Sequence, residues 1–460
     1  MRRLLALLVI AVLLSACAAP GAPQPAVGGP QPTIQPSVTP AAAAIAIPLA
    51  SPTAAPTQTP APPPSPTAAP PPAATAPPPA ALPRYDLVLI GGTLLDATGA
   101  PPLPDAAVAI LDGRIAFAGP AAELAYSADT PVRNAAGATI LPGFVNAHAH
   151  ISGLSADDLR RWPRAGVTTV RDLAGPLDER ISLREQLRAG GDPTLPRLLV
   201  SGPIVTVAGG YPFAVSDSRL RVAAQAVSGP VDAAAQVGAL ADAGVDLVKI
   251  SVSGRTDVSW PELSDAEIAA ITEAARARGL RVSAHVDRSA ALRRAVLGGI
   301  TDAAHSPRDR VPDEVFRLMV ERGVTMTPTI AVYEALALSR GKAVDWRRLT
   351  QPVLYDNLRR FVAAGGTLAL GDDYGGVPGM PVGMPMDEIR HWLAAGLTPQ
   401  QIIEAATRGS ATSAGLADQL GTVEAGKRAD LLVVWGDPLA DISALGRPAL
   451  VLRGGQIVGP

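Results

Sequence analysis

Between residues 144 and 420, short apolar runs rich in β-branched residues alternate with amphipathic stretches, and this alternation restricts the fold more than any other feature. In order the runs are FVNAH (144–148), VTTVRDL (167–173), RLLVSGPIV (197–205), DLVKISV (246–252), RVSAHV (281–286), TDAAHS (301–306), VTMTPTI (324–330) and TLALGDD (367–373). Helical periodicity follows over segments such as 231–243, 265–278, 313–322 and 398–408. Eight strands, each followed by a helix, predict an α/β fold of the parallel (β/α)8 TIM barrel type. A doubly wound open sheet is the alternative. It would require an explanation for the missing G-x-G-x-x-G after the first strand and for the placement of the histidines.

The flanks of this region have a different character. YDLVLIGGTLLD (85–96), AAVAILDGRIAFAG (106–119) and ATILPG (138–143) read as hairpin-forming strands, with Gly91-Gly92 and Asp112-Gly113 as turns. ADLLVVWG (429–436) and ALVLRGGQIVG (449–459) repeat the pattern at the other end. The expectation is a small composite β-sandwich, its first part over 84–143 and its second over 421–460, with the barrel over 144–420 between them.

Residues 1–16, MRRLLALLVIAVLLSA, have the basic start, short apolar run and small-residue end of an export signal. Leu14-Ser15-Ala16-Cys17 resembles the lipobox of bacterial lipoproteins, which implies lipidation of Cys17 and a cell-envelope protein anchored on the extracytoplasmic side of a membrane. An ordinary secretory signal beside a stray cysteine is the plainer reading. Cys17 is the only cysteine, so no intrachain disulfide can form. From Ala18 to Pro83 there are 22 prolines in 66 residues and neither a charged nor an aromatic side chain. Such a segment cannot bury enough apolar surface to offset its ordering entropy, so 17–83 reads as a lipidated cysteine and a disordered tether, reaching on the order of 200 Å if extended. Acidic and basic residues nearly balance at a net charge of −2, and no basic run of the kind nucleic-acid binding requires is present.

The chemically unusual residues of the middle region fall at strand ends, where barrels of this type build their sites. His148 and His150 close the first strand, and residues two apart in an extended chain face the same side. The H-x-H pair is compatible with one shared cation or with two polar side chains at a strand end. Lys249 lies between Val248 and Ile250 in a chain where only three of 39 basic residues are lysine. Exposure of that strand face would explain it simply. A desolvated lysine, however, loses its proton readily, and its neutral amine reacts with carbon dioxide to give a carbamate, which arginine cannot do. His285 and His305 end the fifth and sixth strands, while His391, on a helical segment, reads as a surface or packing residue. Asp372 and Asp373 end the eighth strand, as a turn or as a carboxylate serving a hydrolytic site.

Together these residues resemble the amidohydrolase superfamily, in its imidazolonepropionase-like and Xaa-Pro dipeptidase-like group. The resemblance covers about 84–460 and is carried by PGFVNAHAH, GVTTVRD, DLVKIS, the two later histidines, the strand-eight aspartate and the tail from Ala395 to Leu439. It implies two divalent metal ions, zinc foremost. His148, His150 and Asp373 would bind the first, His285 and His305 the second, with carbamylated Lys249 and a hydroxide between them. That hydroxide would attack the carbonyl of a C–N bond in a small substrate such as a dipeptide or N-acyl amino acid. Asp373 would take the proton and deliver it to the leaving amine. Tyr211 and Arg255 are candidate substrate contacts. The chain departs from the family pattern at Asp372, where Thr or Ser is usual; at Gly209-Gly210-Tyr211, where the dipeptidase-like members have Gly-Gly-His; and at Ala304, where Glu is common. A cyclic amide, lactone or phosphotriester would suit the same site, and a non-catalytic binding protein on this fold is the alternative of a different class. The implied partners are a small-molecule or dipeptide substrate, the membrane through the lipid anchor, and a second copy in a homo-oligomer.

Overall fold

The computed structural model describes residues 82–213, 223–254, 259–375, 377 and 379–459. The leader, Cys17, the tether up to residue 81 and the candidate contact Arg255 lie outside the described residues.

Both flanks build one sheet. Leu87–Leu94 pairs antiparallel with Leu103–Leu111, which pairs with Arg114–Pro120 through a turn at Asp112-Gly113. Both turn residues have positive φ, 50° and 71°, which matches the twist of a tight hairpin. Ala138–Pro142 runs parallel to the first strand and antiparallel to Leu431–Trp435, which continues into Pro448–Arg453 and Gln456–Gly459. The two ends of the sheet then meet: Ala429 donates to the Gly113 carbonyl at 2.9 Å and Ile115 to that of Lys427 at 2.9 Å. Leu89, Val108 and Ile110 from one end and Leu431, Val433 and Leu452 from the other share a single apolar cluster. The sheet therefore folds over its own core as a β-sandwich.

The barrel is parallel throughout. Phe144–Ala149, Val167–Asp172 and Arg197–Val200 pair in order, as do Leu247–Ser251, Arg281–His285, Asp302–Ala304 and Thr325–Met326. Asp246 donates to the Val200 carbonyl at 2.9 Å, joining the third strand to the fourth. The eighth segment, 367–374, is joined by individual hydrogen bonds rather than a regular ladder. Ala369 donates to Met326, and Ala147 to Leu370, at 2.9 and 2.7 Å, which closes the ring onto the first strand. Val248, Ile250, Val282 and Ala284 point outward into the helical layer and its apolar core. The intervening Lys249, Ser251, Ser283 and His285 occupy the opposite face, so the strand period of two makes the barrel interior polar.

The third run differs from its expected form. Gly202 is left-handed at φ 67° and precedes Pro203, so 197–205 breaks into Arg197–Val200 and a separate Ile204–Val207, which pairs with the fourth strand and with Ala224–Val227. Expected helices appear at Gly229–Asp242, Asp265–Ala277 and Asp313–Glu321, and the last at Pro399–Glu404 continuing through the wider turn Ala405–Gly409. Ser264 with Glu267 and Thr398 with Gln401 form reciprocal capping boxes that start two of them. Where one helix was expected after the seventh strand there are two, Ile330–Ser339 and Gln351–Ala363, and the chain between them turns back as a hairpin through the short helix Ala343–Asp345 and the wider turn Trp346–Thr350. Among the described residues no helix is long and apolar enough to cross a membrane.

Candidate active site

The first strand aims Asn146, His148 and His150 to one side. Nε2 of His148 and of His150 approach the same Asp373 oxygen, Oδ1, at 3.3 and 2.9 Å, and the three residues offer ligand atoms within 4.8 Å of one another. Segment eight reaches them because glycines flank it. A Cβ on Gly371 would lie 2.7 Å from Cβ of His148, and one on Gly375, at φ 97°, would lie 2.1 Å from the His150 carbonyl oxygen. Asp373 itself is left-handed at φ 57°, a conformation aspartate tolerates better than most residues. The adjacent carboxylate goes elsewhere: Asp372 accepts from Asn146 Nδ2 at 2.9 Å, and burial pushes its pKa up to about 6. Of the two candidate acids, Asp373 is the one beside the histidines.

On the other side of Asp373, Nε2 of His305 meets Nδ1 of His285 at 3.0 Å, and Nδ1 of His305 lies 4.0 Å from Asp373 Oδ2. The His305 ring stacks on His148 with centroids 4.8 Å apart, and Thr329 Oγ1 orients it at 2.5 Å from Nδ1. Burial, then the nearby Lys249 charge, lowers His148 and His285 to about 3, and burial takes His305 well below its ordinary value. All three imidazoles are thus neutral at pH 7, the form that coordinates a cation. For Asp373 burial acts upward, yet His148, His150 and His305 outweigh it and hold the carboxyl well below the usual range, so it is ionised.

Lys249 is 1% exposed and its Nζ has no hydrogen-bond partner among the described residues, as is also true of Nδ1 of His148 and of His150. Burial lowers the Lys249 pKa to about 8, against the opposing charges of Asp302 and Asp373. An unpartnered buried amine costs free energy unless some group absent from the polypeptide satisfies it. Neutral imidazoles, an ionised carboxylate and a lysine poised to lose its proton form a nitrogen and oxygen donor set that suits divalent cations.

Below the site lies an ion pair that sequence reasoning did not single out. Arg171 donates from Nη2 to Asp302 Oδ2 at 2.6 Å and from Nη1 to the Ser413 carbonyl at 3.0 Å. Ser283, Thr325 and Thr327 also donate to Asp302, at 2.7, 3.0 and 2.9 Å. The signal was available: both are charged residues inside β-branched or small-residue runs, the same anomaly that marks Lys249.

Above it, Tyr211 stacks on His285 at 4.3 Å between centroids and faces Trp260 at 6.3 Å. The Tyr211 hydroxyl makes no hydrogen bond to a described residue, and burial, followed by Asp373 and Asp287, raises its pKa. Tyr333 lies 5.8 Å from His305. Arg308 grips Asp287 through Nε and Nη2 at 2.7 and 2.5 Å and lies over the Tyr333 ring at 5.7 Å. Trp260, Asp287 and Arg308, in loops, and Tyr333, on the helix Ile330–Ser339, were missed because no motif marks them. Of the surface and packing roles open to His391, it has the second: it is buried in the last turn of the helix Met386–Ala394, between Tyr355 Oη at 2.9 Å and Glu334 Oε2 at 3.2 Å.

Residues 139–458 match the Amidohydrolase family profile. The chain belongs to the amidohydrolase family. As a member it is a hydrolase acting on carbon–nitrogen bonds, in a family whose enzymes are generally metal-dependent. Among its relatives, the ochratoxinase of Aspergillus niger is 26% identical over 428 residues, covering 80% of this chain and 86% of that protein. The imidazolonepropionase of Symbiobacterium thermophilum is 27% identical over 432 residues, covering 81% and 97%. The crystal structure of a Xaa-Pro dipeptidase with bound methionine superposes with a TM-score of 0.70 at 23% identity, covering 81% of this chain and 99% of that one, and so matches this amidohydrolase in fold.

Proposed function

We propose that this amidohydrolase is an exported, lipid-anchored enzyme that cleaves the amide or peptide bond of a small substrate, a dipeptide or an N-acyl amino acid. The observation that carries the reading is that His148, His150 and Asp373 meet in one cluster, with His305 and His285 on the other side of Asp373 and the buried Lys249 close enough to interact through its charge with His148, His285 and Asp373. His148, His150 and Asp373 would hold one divalent cation and His285 and His305 a second, and Lys249, once carbamylated by carbon dioxide with loss of a proton, would add an oxygen donor. The cations, zinc foremost, supply Lewis acidity toward the carbonyl and lower the pKa of water.

The chain's own groups handle the proton and the substrate. Asp373, ionised and facing the histidines, accepts the proton of the attacking water and passes it to the amine as the C–N bond breaks. Thr329 holds the His305 ring, so that its Nε2 faces His285. Tyr211, with its ring stacked on His285 and its hydroxyl without a partner among the described residues, donates to an oxygen of the substrate. The aromatic wall of Tyr211 and Trp260 suits a substrate with a flat or cyclic side group. The name Xaa-Pro dipeptidase, borne by a protein of the same fold, agrees with a dipeptide substrate. The leader, the lipobox-like Leu14-Ser15-Ala16-Cys17 and the proline-rich tether support export and anchoring.

The test is metal analysis followed by a hydrolysis screen of dipeptides and N-acyl amino acids with zinc or manganese and bicarbonate. Two metals per chain and release of a free amine are expected. Lys249→Ala should lose about one metal per chain and at least about 100-fold in kcat, the scale of losing a transition-state contact. Full metal content and turnover in that variant would sink the carbamate assignment. Labelling with a radioactive fatty acid checks Cys17, and a Cys17→Ser chain should lose the label.

A further inference from the structure

We propose that the hairpin after the seventh barrel strand, Ile330–Thr350, is a docking surface for an anionic lipid bilayer, which it contacts at the same end of the barrel as the active site.

The helix Ile330–Ser339 reads IAVYEALALS, apolar on every side except at Glu334. A helix of that composition is ordinarily enclosed all round. Here only Ile330, Ala331 and Val332 are buried, while Leu338 is 53% exposed, and beyond the turn Val344 and Leu349 are 63% and 67% exposed. These apolar side chains do not fold back onto the barrel because the hairpin is fixed from beneath. Trp346 is buried and donates from Nε1 to Glu334 at 3.1 Å, and Glu334 is held in turn by His391 at 3.2 Å. The result is an apolar knob anchored at its base.

Four cations surround the knob. Arg340, Lys342, Arg347 and Arg348 are all exposed, and none forms an ion pair with a described residue. Against them the segment 338–349 carries one carboxylate, Asp345, on a chain whose net charge is −2. Charge decides between the partners that could cover such a surface. A second copy meeting it about a two-fold axis would set this cationic patch against itself. An anionic bilayer accepts both parts: headgroup phosphates attract the cations, and Leu338, Val344 and Leu349 enter the boundary with the acyl chains. The helix, ten residues long, is far too short to span and can only lie at the surface. This contact does not depend on Cys17 or on the identity of the substrate.

Because Cys17 is the only cysteine, a single reporter can be placed on the knob. The full chain carrying Cys17→Ala and Leu349→Cys is labelled with an environment-sensitive fluorophore and mixed with vesicles of phosphatidylglycerol and phosphatidylcholine, or of phosphatidylcholine alone. The proposal expects a blue shift on the anionic vesicles only, reversed by salt. Arg347→Glu with Arg348→Glu should abolish the shift, and each cation removed singly should weaken binding about fivefold. Hydrolysis of a soluble substrate should be unchanged in these variants, which shows that they fold. No shift on anionic vesicles, or an equal shift on neutral ones, overturns the proposal. So does a shift that rises with protein concentration without vesicles, since a second copy then covers the knob.

Discussion

Tyr211 and Lys249 show how single side chains acquire a role from their surroundings. Lys249 occupies a strand position whose neighbours face the helices, so it alone of that strand's long side chains enters the polar interior. Its amine finds no partner there, and desolvation favours the neutral form that carbamate formation requires. Tyr211 packs its ring on His285, which brings its hydroxyl-bearing side chain to the site. Tyr211→Phe preserves the stack and removes only the donor. We expect kcat/KM to fall roughly 10- to 1000-fold with metal content unchanged, measured by steady-state kinetics beside metal analysis. Equal kinetics in the variant would show that Tyr211 only packs.

At the scale of elements, the helix Ile330–Ser339 carries Tyr333 beside His305 and follows directly on Thr329, the residue that orients His305. A second helix, Met386–Ala394, holds it at two points. Glu388, fully buried, accepts from the Ala331 N–H at 2.7 Å and from Trp392 Nε1 at 2.7 Å, and His391 one turn later meets Glu334 at 3.2 Å. Glu388→Ala should loosen this wall and lower kcat/KM roughly 10- to 100-fold, the scale of a small misplacement, while Glu388→Gln, still an acceptor, restores most of it. The same residue has a signature in pH. Burial raises its pKa from 4.5 to about 7 despite the N–H groups that favour its ionised form. An acid whose folded pKa is the higher binds protons more tightly when folded, so its ionisation lowers stability as pH rises from 4.5 to about 7 and adds nothing further above that. Urea midpoints of parent and Glu388→Gln should therefore move in the variant's favour across that window. A constant difference would contradict the assigned environment.

For the molecule as a whole, the joint between barrel and sandwich is a buried charge. Asp430, just before the sandwich strand Leu431–Trp435, accepts from Arg197 of the third barrel strand at 2.8 Å and from the Gly454 N–H at 2.8 Å. Burial acts to raise its pKa, and Arg197 with these donors more than reverses that. Asp430→Ala would leave Arg197 and the Gly454 N–H without their acceptor, at a cost of about 3–5 kcal/mol. The denaturant midpoint should drop accordingly while kcat of the folded enzyme is retained. An unchanged midpoint would mean that the two layers are joined chiefly by their apolar contacts.

What the sequence determined by itself was whatever depends on near neighbours along the chain. Strand period and helix period differ, so the alternation of eight strands with helices was legible, and with it the strand-end positions of His148, His150, His285 and His305. The lysine at 249 was legible as an anomaly of composition. Tertiary structure decided what depends on residues far apart. The choice of Asp373 over Asp372 turns on a left-handed residue between two glycines pressed against the first strand, a contact more than 220 residues from the histidines it serves. The break at Gly202, the hairpin after the seventh strand and the polar floor of Arg171 and Asp302 likewise follow from closure of the ring, because a local pattern states which side chains share a face but not what that face will meet.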